Sequence, residues 1–253
     1  MNWIGLWTLT SREVGRFFKV YRQTVIPGLI SSVLYILIFG FTLEQRISSI
    51  EGISYTIFII PGLIMMNTLT NASSNPSSSL LQMKLTGQVP DLMQAPLSSL
   101  EISLAFIIGG VVRGVVNGIL ILLIGMWIGG MEVLYPIATI GFIFVVSVAF
   151  SSMGLLLGQL ADTWDQLSTM QNFFLTPLSF LGGIFYSVNM LPDWAQTISA
   201  FNPIYYMING LRFTTLGFSD SDPQYSFIIA LLMSIGLSFI AIFSMKSGKK
   251  MKQ

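Results

Sequence analysis

The side chains that most soluble enzymes use for acid–base, nucleophilic or metal chemistry are scarce in this sequence. It contains no histidine and no cysteine, and only 9% of its 253 residues are charged. Without imidazoles and thiolates, the chain cannot form disulfides, Cys/His metal sites or His-dependent catalytic sites. Any catalysis would have to depend on carboxylates, hydroxyls, lysine or arginine. We therefore expect no catalytic residue, no metal and no cofactor bound by this chain.

Two pairs of aspartates are the remaining candidates for divalent-cation ligands. They are Asp162 with Asp165, and Asp220 with Asp222. Each pair offers too few ligands for a cation site, so the sequence favours solvated loop carboxylates. A phosphate-binding Gly-x-x-x-x-Gly-Lys-[Ser/Thr] loop is also absent from the sequence. The segment 247–249 lacks the first glycine and the final hydroxyl, and a basic tail beside a membrane explains it better.

Polar residues within a predicted membrane helix indicate another kind of chemistry. Four of them fall within a narrow sector of a helical wheel: Asn67, Asn71, Ser74 and Ser78. Such a face cannot meet lipid, so it must meet protein or water. Two interpretations stay open, namely a stripe that packs helices together and a stripe that borders a substrate path.

Arg113 is predicted deep inside the third span, beside Gly110, Gly114 and Gly118 at four-residue spacing. The glycines favour close approach of a neighbouring helix. Exposing an arginine to lipid at this depth would cost about 3 kcal/mol, so we expect it to point into the bundle or into a water-filled cleft. No carboxylate lies at a comparable depth in the predicted spans. Backbone carbonyls and the asparagines of the second span are therefore its candidate partners.

These residues must be positioned by a polytopic membrane protein. The chain is 53% hydrophobic, and residues 25–43 contain no ionisable side chain. A helix of about 20 such residues crosses a hydrocarbon core of roughly 30 Å. Hydropathy predicts an all-α fold with six spans, at 25–43, 53–79, 103–128, 133–160, 168–188 and 224–245. Six crossings place both termini on one side of the membrane.

The distribution of basic residues predicts which side that is. One side of the membrane carries nine lysines and arginines: Arg12, Arg16, Lys19, Arg22, Lys84, Lys246, Lys249, Lys250 and Lys252. The other side has only Arg46 and Arg212 against six carboxylates. By the positive-inside bias, both termini are expected to be cytoplasmic. The amino terminus lacks the pattern of a cleaved signal peptide, so we expect it to be retained.

The first 22 residues are predicted to form an amphipathic helix. Arg12, Arg16 and Lys19 cluster on one face of the helical wheel, and the opposite face is apolar and mostly aromatic. That face consists of Trp3, Trp7, Val14, Phe17 and Tyr21. The pattern is typical of a helix in the membrane interface, whose cations, with Arg22, face anionic lipid or a cytoplasmic partner. A simple membrane anchor is the alternative.

Residues 189–212 are too apolar for a solvated loop and too interrupted for another crossing. Pro192 and Pro203 would each begin or end a short helix. Two half-helices would then re-enter from the outer face, with their broken ends covered by protein or water. We assign an outer gate to this segment, consisting of Pro192, Trp194, Asn202, Pro203, Tyr205 and Arg212.

The sequence as a whole resembles the membrane subunits of ABC exporters of the type-2 family. The resemblance covers nearly the whole chain and is most specific after residue 160. Its motifs are Gln23-Thr24 with Pro27, Pro61-Gly62-Leu63, Ala161-Asp162-Thr163, Pro177-Leu178-x-Phe180-Leu181-Gly182-Gly183-x-Phe185-Tyr186, Leu191-Pro192, Asn202-Pro203-x-Tyr205 and Gly210-Leu211-Arg212. Residues 23–246 would form the type-2 transmembrane domain, followed by a basic cytoplasmic tail at 247–253. The chain looks like a small bacterial permease whose ATPase is a separate polypeptide.

The resemblance implies partners and a mechanism. Two copies would form the path in the bacterial cytoplasmic (inner) membrane, in contact with lipid, and each would dock an ATP-binding cassette ATPase that holds ATP and Mg²⁺. No nucleic acid is expected. The family's coupling helix maps onto Gly87, Gln88, Val89, Pro90, Asp91, Leu92, Met93, Gln94 and Ala95, with Asp162 and Asp165 as a second contact. A plain connecting loop would have a similar sequence.

Two other functions remain open from the residues alone. An ion- or proton-driven carrier should contain inverted repeats and buried carboxylates, and neither is clear in the sequence. A membrane protein that assembles with others without transport is the third possibility. The sequence does not select a cargo, because one fold serves many substrates.

Overall fold

The computed structural model describes residues 1–44, 46–47 and 49–247, and helices dominate this part of the chain. The predicted tail residues Lys249, Lys250 and Lys252 lie outside it. The helices are α1 (Trp3–Lys19), α2 (Tyr21–Thr24), α3 (Ile26–Tyr35), α4 (Thr42–Glu44), α5 (Tyr55–Leu85), α6 (Val89–Gln94), α7 (Ser99–Gly129), α8 (Pro136–Leu160), α9 (Trp164–Leu181), α10 (Asp193–Ala200), α11 (Pro203–Leu216) and α12 (Pro223–Ser247). A π-helical segment, Ile36–Phe41, joins α3 to α4, and a 3₁₀ turn covers Val188–Met190. Strands β1 (Ser49–Ile50) and β2 (Ile53–Ser54) form a small antiparallel hairpin.

Five helical segments of the described chain are long and apolar enough to cross a membrane. They are Tyr21–Gly40, Tyr55–Leu85, Ser99–Gly129, Pro136–Leu160 and Pro223–Ser247. These correspond to five of the six predicted spans. The other predicted span, 168–188, corresponds to α9, which begins at Trp164 and ends at Leu181. Polar residues such as Gln171 and Asn172 lower its hydropathy, so α9 does not qualify by composition.

Helix α5 lies at the centre of the bundle, where it packs against α7, α8 and α11. Phe58, Leu63 and Leu69 on this helix are completely buried. Pro61 and Pro76 lie within the helix. Prolines are tolerated inside membrane helices because neighbouring helices and hydroxyl side chains satisfy the freed backbone groups. The central position of α5 brings its polar residues into contact with several other helices.

Glycines on α7 allow it to approach α5 and α8 closely. A methyl group at Gly114 would lie 2.8 Å from both Ala72 Cβ and Ser147 Oγ. One at Gly118 would lie 2.6 Å from Thr68 Oγ1. Both distances are too short for a real Cβ atom. The close packing predicted from the four-residue spacing of glycines is therefore confirmed.

The connecting segments gather at two ends of the bundle. At one end, named here the α6 end, the segment between α5 and α7 lies near the junction of α8 and α9, and Lys84 Nζ donates a hydrogen bond to Ala161 O at 2.9 Å. The β-hairpin, the α7–α8 link and residues 182–192 lie at the opposite end. There Leu134 N donates to Thr215 O at 2.9 Å, which ties the α7–α8 link to the end of α11.

Candidate functional site

A row of polar side chains on α5 contacts three other helices. We call Asn67, Asn71, Ser74 and Ser78 the polar stripe. Asn67 Nδ2 donates to Ser32 Oγ on α3 at 2.8 Å, and Asn71 Oδ1 accepts from Arg113 Nε on α7 at 3.0 Å. Ser78 Oγ lies 3.5 Å from Nη1 of Arg16 on α1. The polar stripe thus packs helices together, and a substrate path along it stays a prediction.

One part of the polar stripe borders an open cleft between α3, α5 and α9. The cleft has a volume of about 280 Å³, and its walls include Tyr35, Asn67, Thr70 and Ser179. A methyl group at Gly28 would lie 2.7 Å from Asn67 Oδ1, so a larger residue there would displace this side chain. The cleft therefore combines hydroxyl and amide groups with an apolar lining at a site next to the stripe.

Arg113 is the fifteenth of the 31 residues of α7 and so lies at the middle of this apolar helix. Its side chain is partly exposed, and Nε donates to Asn71 Oδ1. From the sequence, the partner of Arg113 could be a backbone carbonyl or an asparagine of α5. The structure shows that it is Asn71. Within the described ranges, no ion pair links Arg113 to a carboxylate.

Arg16 on α1 also reaches the bundle. Its Nη2 donates to the backbone oxygen of Asn75 at 2.6 Å and to Asn75 Oδ1 at 3.2 Å. Its Nε lies 3.7 Å from Oε2 of Glu13, whose side chain is completely buried. Burial lowers the pKa of Arg16 from its ordinary value, although Glu13 acts in the opposite direction. Arg16 therefore links the buried Glu13 of α1 to Asn75 of α5.

The faces of α1 differ from the predicted helical wheel. Arg12, Lys19 and Arg22 are exposed, but Arg16 turns towards α5, so the expectation that it faces lipid or a partner with them is wrong. Trp3 and Trp7 are exposed, at 69% and 73%. Phe17 is instead buried at 1% exposure. The reason is that α1 packs on α7 through a face containing five buried residues: Leu6, Leu9, Thr10, Glu13 and Phe17.

The segment predicted to couple to an ATPase contains the short helix α6 and lies beside α1. Val89 and Leu92 are buried, whereas Asp91 and Met93 are exposed. Gly87 has a φ of 69°, a value that favours glycine, and it turns the chain from α5 into α6. The remaining residues of the predicted coupling segment are mostly exposed: Gln88, Pro90, Gln94 and Ala95.

Two hydrogen bonds join this segment to α1. Arg12 Nη2 donates to Gln88 Oε1 at 3.4 Å, and Asn2 Nδ2 donates to Pro96 O at 3.2 Å. A cavity of about 460 Å³ lies between them, with Leu92 in its wall. The start of α1 is further fixed to α7, because the backbone nitrogen of Asn2 donates to the Glu101 carboxylate. The structure thus brings α1 and α6 together.

The second predicted contact lies at the same end of the bundle. Lys84 Nζ, at the end of α5, donates to Gln159 O at 2.7 Å and lies 3.4 Å from Asp162 Oδ1. Asp165 is exposed in the first turn of α9. No group of three or more potential metal ligands occurs in the part of the chain that the structure covers. Asp162 and Asp165 are both exposed, and their contact with an ATPase stays a prediction.

The predicted outer gate consists of two short helices, α10 and α11. Pro192 immediately precedes α10 and Pro203 is the first residue of α11, so each proline begins a helix as predicted. Asn202 caps α11, because its Oδ1 accepts from Ile204 N at 3.0 Å. Tyr205 is buried, whereas Trp194 is 69% exposed.

Arg212 on α11 and Asp220, in the segment after α11, form a buried ion pair. Arg212 Nη1 lies 3.5 Å from Asp220 Oδ2, and both side chains are fully buried. Arg212 Nη2 donates to Gly183 O at 2.8 Å, and Ser187 Oγ donates to Asp220 Oδ1 at 2.6 Å. The expectation that Asp220 is a solvated loop carboxylate is wrong, since its hydrogen bonds place it inside the protein. Asp222 is exposed, as expected.

Comparison with known proteins identifies the family. Residues 5–216 match the sequence profile of the ABC-2 type transporter family. This chain belongs to that family. It is 35% identical over 252 residues to the inner membrane transport permease YadH of Escherichia coli K12, which covers 100% of this chain and 98% of YadH.

More distant relatives are also similar to this ABC-2 permease over most of its length. The putative transport permease ycf38 of Cyanophora paradoxa is 28% identical, covering 89% of this chain and 80% of the relative. Nodulation protein J of Rhizobium leguminosarum bv. viciae is 24% identical, covering 86% and 83% respectively. Together with the apolar helices, these similarities make the chain a multi-pass permease subunit of the inner membrane. The resemblance inferred from the sequence motifs is confirmed.

Proposed function

We propose that this ABC-2 permease is the membrane half of an ATP-driven exporter. Two copies form the path, and each docks a separate ATP-binding cassette ATPase that carries ATP and Mg²⁺. The observation that supports this most is the assembly of α1, α6 and the Asp162 segment at one end of the bundle. An ATPase would need an exposed surface of this kind on the permease, in which several segments are held together by hydrogen bonds.

Helix α6 is suited to transmit a displacement to the bundle. Its exposed residues Asp91 and Met93 would contact the ATPase, while Val89 and Leu92 bury the opposite face. The contacts of Gln88 with Arg12 would carry the movement into α1. A partner shifts a conformational equilibrium only through different interaction energies in the two states. Closure of the ATPase pair on ATP would provide that difference.

The membrane topology forms part of the same proposal. Helix α9 would complete a sixth crossing, so that both termini and the α6 end face the cytoplasm, where most of the basic residues lie. Helices α10 and α11 would then re-enter the membrane from the outer face as the gate. The buried pair of Arg212 and Asp220 supports a rigid attachment of this gate to α5 and to residues 183–188.

The cleft between α3, α5 and α9 supports a route for cargo. Asn67 and Thr70 lie in its wall, and the rest of the polar stripe continues from there towards Arg113 and Arg16. Opening of this cleft towards a second copy of the chain would expose amide and hydroxyl groups to water. The packing contacts of the stripe would then change during transport.

An ion- or proton-driven carrier is the alternative, and one observation favours it. Glu13 has a fully buried carboxylate, of the kind that proton-coupled carriers use. Its position beside Arg16, however, gives it an ionic partner within α1. Transport that continues without any ATPase would support the carrier and contradict the exporter.

Charge reversal on α6 tests the exporter directly. We expect Asp91→Lys to reduce co-purification of the ATPase subunit while the permease still inserts and remains monodisperse in detergent. The matched control is Asp222→Lys, which reverses an exposed aspartate outside the α6 end. Equal recovery of the ATPase with both variants would contradict docking at α6.

A further inference from the structure

The polar stripe is surrounded by an excess of positive charge. Three ionisable side chains lie at or beside it: Glu13, Arg16 and Arg113. Their formal charges, one negative and two positive, give a net charge of +1. Glu13 is paired with Arg16 at 3.7 Å, whereas Arg113 has no carboxylate within ion-pair distance among the described residues. Of these three charges, that of Arg113 is the one left without a counter-charge among the described residues.

Two other arginines that contact the helix bundle have their own carboxylates. Arg212 lies 3.5 Å from Asp220, and Arg16 lies 3.7 Å from Glu13. Arg113 has a neutral partner instead, the side-chain oxygen of Asn71. An arginine at the centre of a membrane helix is costly, by about 3 kcal/mol on insertion scales, and such residues commonly mark a site for a charged ligand. This contrast indicates that the counter-charge of Arg113 comes from another molecule.

The guanidinium group of Arg113 has donors available for such a ligand. Its Nε–H is used by Asn71. Nη1 and Nη2 make no hydrogen bond to the described residues. They are also not buried, because neither belongs to the buried polar atoms that lack a partner in this part of the chain. Both atoms therefore remain accessible in a partly exposed side chain. A guanidinium group with two free NH₂ groups matches the geometry of a phosphate or a carboxylate.

Hydrogen bonds connect Arg113 to the cleft between α3, α5 and α9. Asn71 accepts from Arg113, and its Nδ2 donates to the backbone oxygen of Asn67, which lies in the cleft wall. The cleft also has apolar lining residues, including Tyr35, Met66 and Leu175. Arg113 and the cleft therefore contact the same side of α5, at Asn71 and Asn67, which are about one helical turn apart. An amphiphilic molecule could contact both.

We propose that Arg113 binds the anionic headgroup, phosphate or carboxylate, of an amphiphilic cargo whose apolar part occupies this cleft. The assignment of the ligand as cargo rests on the proposed transport function. Binding itself requires neither ATP nor the ATPase. The site can therefore be tested on the full-length permease alone, and its failure is distinguishable from failure of the exporter model.

The test is equilibrium binding of spin-labelled lipids to the permease in phosphatidylcholine nanodiscs. We expect labelled phosphatidylglycerol to bind about tenfold more tightly than labelled phosphatidylcholine, a ratio typical of one charge-assisted contact. Arg113→Gln should remove this preference. Arg46→Gln is the matched control, because Arg46 is an exposed arginine next to the β-hairpin, and this variant should keep the lipid preference of the wild type. An unchanged preference in Arg113→Gln would overturn the proposal.

A second variant decides the matter if Arg113→Gln does not fold. Asn71→Asp places a carboxylate against Arg113 and retains the arginine, so it should fold and also lose the preference for the anionic lipid. Retention of the preference by a folded Asn71→Asp protein would contradict the site. Inorganic phosphate distinguishes the two sources of an anion. Displacement of the labelled lipid by millimolar phosphate would show a site for free phosphate and overturn binding of an amphiphile.

Discussion

Arg212 Nη1 lies 3.5 Å from Asp220 Oδ2 in a region where neither side chain is exposed. The guanidinium group also lies 3.9 Å from the ring centroid of Phe58 on α5. This pair connects α11, the segment after it and the central helix. A buried ion pair is sensitive to loss of one partner, because the other charge is then left without compensation.

We predict that Arg212→Met destabilises the protein by about 3–5 kcal/mol, the usual cost of breaking a buried ion pair. The double variant Arg212→Met/Asp220→Leu should recover a substantial part of this loss, because it leaves no isolated charge. Unfolding in a mixed-micelle denaturant series measures both free energies. A single variant as stable as the wild type would contradict the burial of this pair.

A second prediction concerns the contact between α8 and α5. A methyl group at Gly154 would overlap the backbone of Ser73, whereas one at Gly141 on the same helix would have no neighbour within 4 Å. Gly154→Ala should therefore destabilise the protein by about 1–3 kcal/mol through overpacking. Gly141→Ala is the matched control and should not destabilise it. Comparable unfolding free energies for the two variants would show that the helices pack differently.

Lys84 provides a third prediction about the α6 end. Its ammonium group donates hydrogen bonds to two backbone oxygens at the end of α8, at 2.7 and 2.9 Å, and lies 3.4 Å from Asp162 Oδ1. Lys84→Met removes all three contacts, while Asp162→Asn removes only the charge of an exposed partner. We expect Lys84→Met to lower ATP-dependent transport by the complex more than Asp162→Asn does. The reverse order would place the coupling role on the aspartate.

A fourth prediction concerns the pH dependence of the hairpin region. Hydrogen bonds from Ser54 and Thr56 lower the pKa of Glu44 below its ordinary value of 4.5. The unfolded chain therefore binds a proton more readily, so the contribution of Glu44 to stability is present above about pH 4.5 and is lost as the pH falls through its folded-state pKa. The variant Ser54→Ala/Thr56→Val should show a smaller loss of stability on acidification. Identical pH profiles for the variant and the wild type would exclude this contribution.

The sequence predicted the elements whose signal is local. Long apolar segments predicted five membrane helices that the structure contains, the spacing of Gly110, Gly114 and Gly118 predicted a close helix contact, and Pro192 and Pro203 predicted the starts of α10 and α11. Each of these signals depends on residues within a single continuous segment of the chain. Periodicity and backbone restriction are sufficient to interpret them.

Contacts between distant segments could not be predicted in the same way. The helical wheel placed Arg16 on an exposed face. A wheel shows only which residues share a side of a helix, whereas the helices that pack against α1 determine which side is buried. Asp220 was expected in solvent because Ser187 and Arg212, its partners, are not adjacent in sequence. Arg113 was expected to need a partner, and the choice of Asn71 required the register between α5 and α7. The two errors, at Arg16 and Asp220, concern charged residues whose partners lie on other elements.

The central claim is that ATP hydrolysed on a separate subunit moves this permease. Because the chain has no cysteine, a single Thr70→Cys substitution in the cleft wall can be labelled without background from the permease itself. We would measure its rate of reaction with a water-soluble maleimide in the reconstituted complex, with a cysteine at Phe144, exposed on α8, as the control. We predict that ATP with vanadate changes the labelling rate at residue 70 by about tenfold or more, and only when the ATPase is present. The labelling rate at residue 144 should stay unchanged. The reason is that the ATP-bound ATPase shifts the permease between two conformations, for which it has different interaction energies. The same rate at residue 70 with and without ATP in a complex that hydrolyses ATP would contradict the central claim.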